Sequence, residues 1–182
     1  MWMWILIGIF VLIVIMFFVY YNRFAVLSNR IDNSLSQIDV QLKRRADLVP
    51  NLIETVKGYV KHETAAIKAV TDARKALVGA KGIEGKVRAD RKLESALKTI
   101  FAIAEGYPDL KANTNFLELQ RELSSTEDRV AYARQFYNDS ILTYNNLCTI
   151  FPGKFFAGIY GRKKKEYLQI ADSERKVVRV EF

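Results

Sequence analysis

The sequence is poor in the residue types from which catalytic and metal sites are usually built. Among its 182 residues, Cys148 is the only cysteine and His62 the only histidine. A single cysteine excludes an intrachain disulfide and a cysteine-based metal site. A single histidine excludes two-histidine zinc motifs and the paired Glu-x-x-His motifs of four-helix di-iron proteins. We therefore expect no catalytic residues, no metal and no cofactor, and a protein that is not an enzyme.

Charged side chains are absent from residues 1–22. An apolar run of about 20 residues is long enough to cross the roughly 30 Å hydrocarbon core of a bilayer as a helix. Trp2 and Trp4 lie at one end of the run, and Tyr20 and Tyr21 lie at the other. Because such rings favour the two membrane–water interfaces, the sequence predicts a transmembrane anchor over residues 1–22, with these four residues at its ends.

The same run has two other interpretations, a buried core helix and a cleaved signal peptide. Soluble domains rarely bury so long an uncharged stretch. A signal peptide needs a basic segment before the apolar run and small residues at its cleavage site. No Lys or Arg precedes this run, and residues 17–21 are large. We therefore expect an anchor that is not cleaved.

Basic residues lie on only one side of the apolar run. Arg23 and Arg30 follow it closely, and three more cations follow at residues 43–45. Short segments rich in Lys and Arg remain in the cytoplasm. We expect a single-pass protein of the cell membrane, with its N-terminus outside and residues 23–182 in the cytoplasm.

The formal net charge is +8, which favours acidic partners, phosphates or an anionic surface. The expected partners are the lipid bilayer and other membrane or cytoplasmic proteins, together with a possible homo-oligomer. Nucleic acid is not expected, because residues 22–182 contain no recognised module that binds it.

Beyond the anchor, apolar residues recur mostly at steps of three and four, which indicates amphipathic helices. The predicted helices cover residues 21–78, 86–105 and 115–150, and a glycine-rich hairpin loop separates the first two. We expect Pro50 to kink or restart the first helix, because its ring clashes with the carbonyl four residues earlier. The predicted fold is all-α: an N-terminal transmembrane helix, then an up-and-down antiparallel bundle of three long helices plus a short C-terminal helix. The expected domains are 1–22, the anchor; 23–152, the bundle; and 153–182, a basic aromatic segment and tail.

The third helix carries a heptad pattern over five repeats, which is typical of helices packed at a shallow angle. We favour packing inside one bundle, and part of the stripe acting as a self-association surface is the alternative. One row of the pattern consists of Phe116, Leu123, Val130, Tyr137, Tyr144 and Phe151.

Aromatic and basic residues adjoin one another after the third helix. Such a combination suits docking on anionic lipid, and the alternative is a short helix that caps the bundle, followed by a solvated basic turn. We expect residues 176–182 to form a flexible tail or a short added strand. The candidate lipid or partner contacts are Phe155, Phe156, Arg162, Lys163, Lys164 and Lys165.

Two further groups of polar residues attract attention. Lys43, Arg44 and Arg45 precede Pro50 and form a candidate contact for lipid headgroups or an acidic partner, or else a solvated face with local ion pairs. The pairs at 137–138 and 144–145 both read Tyr-Asn. We expect their hydrogen bonds to fix the register of the helices rather than to bind a ligand.

Long stretches of this chain resemble the LemA family. The first, from Asn29 to Glu63, reads NRIDNSLSQIDVQLKRRADLVPNLIETVKGYVKHE, and the second, from Ala104 to Asn146, reads AEGYPDLKANTNFLELQRELSSTEDRVAYARQFYNDSILTYNN. Leu35 stands where the family often has tryptophan, and Gly106 where alanine is usual. The resemblance implies a bacterial single-pass membrane protein with a helical-bundle domain, an N-terminus outside, and no established enzymatic activity.

Three functions remain open on the sequence alone. The first and preferred one is a membrane-anchored, non-enzymatic scaffold or adaptor, with or without self-association. The second is a membrane-shaping or lipid-organising protein that uses the basic aromatic C-terminal segment. The third is an enzyme or small-ligand sensor with a pocket inside the bundle.

Overall fold

The structure is a computed structural model, and it describes residues 1–60 and 62–168. All regular secondary structure in this part of the chain is helical, as predicted. An N-terminal apolar helix followed by a helical bundle is confirmed. The helices are α1 (Trp2–Lys57), α2 (Thr64–Gly79), α3 (Gly82–Ala104), α4 (Pro108–Lys111), α5 (Thr114–Thr149) and α6 (Gly153–Ile159). The prediction for residues 176–182 lies outside the described residues.

The prediction of one helix over residues 21–78 is wrong, because α1 ends at Lys57 and a second helix, α2, begins at Thr64. Pro50 lies inside α1, so the helix does not restart there. Gly58 instead donates its N–H to the Thr55 carbonyl oxygen at 3.3 Å, in a tight turn that ends α1. Glycine is a weak helix former and is common where helices end. Gly58 therefore favours a helix end here, although the apolar periodicity continues past it.

The predicted hairpin loop is confirmed between α2 and α3. Ala80 and Lys81 form the turn, and Gly82 begins α3 with a φ of +68°. A positive φ of this size lies in the left-handed region, which is costly for residues with a Cβ. Gly82 therefore permits the tight connection between the two helices.

The chain divides into two compact units. The terminal unit contains Met1–Asn33 and Gln135–Phe182, and the central unit is Ser34–Arg134. Each unit has its own apolar interior. The core of the central unit includes Ile38, Val49, Leu52, Leu93, Leu97, Ile100, Leu110, Phe116 and Leu123, and that of the terminal unit includes Phe24, Ile31, Ile141, Tyr144, Phe156 and Leu168.

The heptad row of α5 packs inside its own chain for most of its length. The first five members of the row, Phe116 to Tyr144, are buried, whereas Phe151 is 83% exposed. Ala133 and Ser140, the small residues of the companion row, are also buried. This burial agrees with the interpretation of the pattern as packing within one bundle.

Candidate functional site

The N-terminal part of α1 exposes its apolar side chains. Within the described residues, α1 is the one helix that is long and apolar enough to cross a membrane, and its most apolar stretch has no buried residue in the protein. Trp2 and Trp4 are exposed at the start of this helix, and Tyr21 is exposed at the other end of the apolar run. An exposed stretch of this length and composition matches a hydrocarbon environment.

In the terminal unit, α6 packs against the end of the apolar run. The Phe156 ring stacks on the Tyr20 ring, with centroids 4.7 Å apart. The Tyr160 hydroxyl donates a hydrogen bond of 2.5 Å to the Phe17 carbonyl oxygen, and the Tyr160 ring lies edge-on to that of Tyr21 at 5.6 Å. These contacts place α6 at the level where the apolar run ends.

The two phenylalanines predicted as lipid contacts have different positions. Phe156 is only 5% exposed, because it lies against Tyr20. The prediction that Phe156 contacts lipid is therefore wrong. Phe155 is 62% exposed. Phe151 and Ile159 are also exposed, so an apolar surface extends beside the end of the apolar run.

The basic segment after α6 is extended and is attached to α5. The Asn145 side chain exchanges two hydrogen bonds with the backbone of Lys165, and the Asn138 side chain exchanges two with the backbone of Leu168. We predicted that hydrogen bonds of these Tyr-Asn pairs fix the register of the helices. For the asparagines the predicted partner is wrong, because both bond the backbone of the segment after α6 rather than another helix. Nothing in the sequence identified this partner.

The extended segment presents most of its cations to solvent. Arg162, Lys163 and Lys164 are exposed. Lys165 is half-buried, with its ammonium nitrogen 5.3 Å from the centre of the Tyr144 ring and 3.5 Å from the Ser28 hydroxyl oxygen. Lys165 is thus engaged within the terminal unit, and the Arg162 side chain hydrogen-bonds that of Tyr144, while Lys163 and Lys164 face solvent.

The three cations at residues 43–45 do not form one surface. Lys43 is exposed, and Arg44 pairs with Glu122 at 2.6 Å. Arg45 is 2% exposed and pairs at 3.0 Å with both Asp90 and Glu127. The prediction that Arg45 contacts lipid or a partner is wrong, because its guanidinium group is buried and pairs with carboxylates inside the central unit.

Burial perturbs the carboxyl groups around Arg45. It raises the pKa of Asp90 above 3.8, against the opposing effect of the Arg45 charge. Burial and the Glu94 charge raise the pKa of Glu127. Burial also tends to raise the pKa of Glu94. The hydrogen bond and the positive charge of Lys98 help to outweigh this effect, so the pKa of Glu94 is lowered. A cavity of about 150 Å³ adjoins this network.

Asp90 was not predicted as a buried charge, although the sequence contains a signal for it. Arg45 interrupts the apolar stripe of α1, at a position where periodicity places a core residue. Asp90 precedes Leu93 by three residues and Leu97 by seven, so it lies on the buried face of α3. A charged residue at a core position on two helices is the pattern expected of a buried ion pair.

A groove opens between α1 and α5 in the central unit. Its volume is about 580 Å³, and two apolar side chains in its lining are strongly exposed, Val40 at 59% and Tyr132 at 70%. The Gln41 Oε1 atom is buried there and accepts no hydrogen bond within the described residues. The remaining lining residues are Ser36, Gln37, Asp128, Arg129 and Ala133.

The two rare residues of the sequence lie apart from these surfaces. His62 is exposed in the connection before α2. Cys148 is half-buried on α5, where burial raises the pKa of its thiol. Among the described residues, no group of three or more His, Cys, Asp or Glu side chains is arranged to hold a metal ion.

Comparison with known proteins gives one family. The LemA family model matches residues 34–182. The chain is 26% identical to magnetosome protein MamQ 2 of Paramagnetospirillum magneticum, over 82% of this chain and 64% of the relative. It is 27% identical to magnetosome protein MamQ of Magnetospirillum gryphiswaldense, over 81% and 64%. It is 31% identical to protein LemA of Metamycoplasma hominis, over 78% and 64%. The chain thus spans 64% of the length of these curated relatives.

Proposed function

We propose, from the premise that this chain belongs to the LemA family of membrane-associated proteins, that it is a non-enzymatic adaptor held at the membrane by α1. The adaptor presents the groove of the central unit to a helix of a partner protein. The N-terminus lies outside, the chain crosses the membrane once, and residues 23–182 face the cytoplasm. The single observation that carries the proposal is the exposed apolar pair, Val40 and Tyr132, in that groove.

The groove has the form of a helix-binding site. Its lining residues lie four apart on each helix, as Ser36 and Val40 do on α1 and Asp128 and Tyr132 do on α5. Residues four apart form a ridge along one face of a helix, and two ridges leave a furrow that accepts a third helix. An amphipathic partner helix would cover both exposed apolar side chains, which is a common mode of peptide recognition.

The charges at the groove favour a protein partner over a lipid. Asp128 and Arg129 carry opposite charges and both line the groove. A lipid surface rich in anions selects a single positive sign, whereas a protein partner can match both signs along one helix.

Site-specific photocrosslinking in native membranes tests the adaptor function. A photoreactive residue is placed at Val40, at Tyr132, or, as a control, at the exposed Ser95 of α3. The two groove positions are expected to trap the same partner, and the control position none. Tyr132→Arg should abolish the product formed from Val40.

The crosslinked product decides between the outcomes. A product common to both groove positions and lost in Tyr132→Arg supports the adaptor, and its mass identifies a partner or a second copy of this chain. Equal products from Ser95 and the groove indicate contact by crowding and overturn the proposal. Absence of any product under conditions that retain the protein in the membrane also overturns it.

A second function, lipid organisation, is favoured by the position of α6. Phe151, Phe155 and Ile159 are exposed beside the end of the anchor, and Lys163 and Lys164 follow them. An apolar surface with adjacent cations is typical of segments that lie in the membrane interface. We expect the full chain, reconstituted in anionic vesicles, to change their shape by electron microscopy, and Phe155→Ser with Lys163→Gln to remove the change. Unchanged vesicles with the wild-type chain would exclude this function.

A further inference from the structure

The terminal unit contains a cleft that the proposed adaptor function does not use. Its volume is about 280 Å³, and it lies between α1 and the end of α5. Tyr20, Arg23 and Leu27 line it from α1. From the other side it is lined by Thr143, Asn146, Leu147, Ile150, Phe151 and Gly153.

The depth of the cleft relative to the apolar run follows from helix geometry. Tyr20 lies one turn beyond Phe17, whose carbonyl oxygen accepts the hydrogen bond of Tyr160. At 1.5 Å per residue, Tyr20 and Leu27 are separated by about 10 Å along α1. The headgroup region of a bilayer is about 5–8 Å thick on each side, so the cleft begins where hydrocarbon ends and extends through the headgroup layer.

The cleft is apolar at one end and polar towards the other. In the terminal unit α5 runs antiparallel beside α1, because Phe24 contacts Tyr144 whereas Arg30, later on α1, contacts the earlier Phe136. Ile150 and Phe151 therefore lie at the level of the anchor. Arg23, Asn146 and Thr143 lie farther from the apolar run and are exposed. Hydrocarbon at one end and hydrogen-bond donors at the other match the two parts of a phospholipid.

Arg23 carries the recognition chemistry. It lines the cleft, and it has no ion-pair partner within the described residues. A guanidinium group presents a planar set of donors that fits a phosphate with two hydrogen bonds. The Asn146 amide adds an uncharged donor on the opposite wall.

The surrounding charge favours an anionic rather than a zwitterionic lipid. Residues 1–31 and 140–165 contain Arg23, Arg30, Lys154, Arg162, Lys163, Lys164 and Lys165, which are seven cations, and no Asp or Glu. The acidic residues nearest in sequence are Asp32, Asp139 and Glu166. All charged side chains in these two segments around the cleft are therefore positive, and each cation near the surface attracts anionic lipid.

We propose that this cleft binds one anionic phospholipid of the surrounding bilayer, with its phosphate on Arg23 and the start of an acyl chain along Ile150 and Phe151. The inference rests on the membrane anchorage of the proposed function. It adds a defined lipid site at the end of the anchor, separate from the groove that an adaptor uses.

The test uses the full chain in lipid nanodiscs that contain a photoactivatable phosphatidylglycerol. The label is expected on the peptides that line the cleft, around residues 20–27 and 143–153. Unlabelled phosphatidylglycerol should compete, whereas phosphatidylcholine and free inorganic phosphate should not. Arg23→Gln should weaken labelling of the cleft peptides about fivefold, the loss of one lipid-facing charge.

Two variants separate a site from general attraction. Lys163→Gln removes one exposed charge outside the cleft and should weaken labelling much less than Arg23→Gln does. Asn146→Trp keeps the charge but fills the cleft, and should remove labelling of the cleft peptides. Equal effects of Arg23→Gln and Lys163→Gln overturn the site, as does labelling that persists in Asn146→Trp.

A separate measurement distinguishes this failure from failure of the proposed function. Alkaline carbonate washing reports on the anchor alone. A protein retained by the membrane but unlabelled in the cleft overturns only the lipid site. A protein removed by carbonate overturns the membrane-anchored function as well.

Discussion

Asn145 holds the backbone of Lys165 with both ends of its carboxamide group. Its Nδ2 atom donates to the Lys165 carbonyl oxygen at 2.9 Å, and its Oδ1 atom accepts the Lys165 N–H at 2.8 Å. One heptad earlier, Asn138 does the same for Leu168, at 3.1 and 2.9 Å. Seven helical residues rise about 10.5 Å and three extended residues about 10 Å, so the two elements run antiparallel in register.

This register leads to a prediction for the basic segment. Asn145→Leu removes two hydrogen bonds, each worth about 1 kcal/mol, and should release residues 162–165 from α5. Limited trypsin digestion should then cleave after Arg162, Lys163 and Lys164 several times faster than in the wild type.

The control for this release is Asn29→Leu, an exposed asparagine on α1 with no bond to the segment. It should leave the cleavage rate unchanged. Equal rates for the wild type and Asn145→Leu would show that the two bonds do not hold the segment.

The buried ion pair between Arg45 and Asp90 gives a second prediction. Arg45→Met leaves Asp90 buried without its partner, and breaking such a pair costs about 3–5 kcal/mol. The double variant Arg45→Met with Asp90→Leu removes both charges and should recover most of the loss. Chemical unfolding of the full chain in detergent, followed by circular dichroism, measures both effects. A double variant no more stable than the single one would contradict this account.

The raised pKa values of Asp90 and Glu127 predict a pH dependence. A carboxyl group whose pKa is higher in the folded state binds more protons there than in the unfolded chain. For Asp90, this contribution to the free energy of unfolding is fully present below pH 3.8, the ordinary pKa of the group. It is lost as the pH rises through the higher pKa of the folded state. Asp90→Asn should remove this part of the slope of melting temperature against pH. An unchanged slope would show that Asp90 does not titrate differently on folding.

Two glycines of α6 form a matched pair for a packing prediction. A Cβ atom on Gly153 would collide with the carbonyl oxygen of Leu147, whereas one on Gly158 meets nothing within 4 Å. Gly153→Ala should therefore displace α6 and destabilise the fold by about 1–3 kcal/mol, and Gly158→Ala should be neutral or slightly stabilising. Melting curves of the two variants test the difference, and equal melting temperatures would show that α6 has room to adjust.

Much of the architecture follows from local features of the chain. The uncharged run over residues 1–22 specifies an exposed apolar helix, and spacings of three and four specify the helices that follow. Gly58 shows where local reasoning was incomplete. The apolar stripe continues past it, and only the packed structure shows that α1 ends there.

The candidate surfaces depended more on tertiary contacts. Lys43, Arg44 and Arg45 are adjacent and identical in sign, yet Lys43 is exposed, Arg44 pairs at the surface and Arg45 is buried. The carboxylates that make this difference, Asp90 and Glu122, lie 45 and 78 residues away in sequence. Phe155 and Phe156 differ in the same way, because only Phe156 meets Tyr20.

The sequence by itself determined that this chain is helical, that its first helix suits a bilayer, and that it belongs with the LemA proteins. The first two properties depend on composition and on periodicity within single helices, and the third depends on the resemblance of long stretches of sequence to that family. The tertiary structure alone decided which charges are neutralised, what Asn138 and Asn145 bind, and where clefts remain between helices. Such properties require side chains from distant parts of the chain to meet, and a linear pattern does not record which of them do.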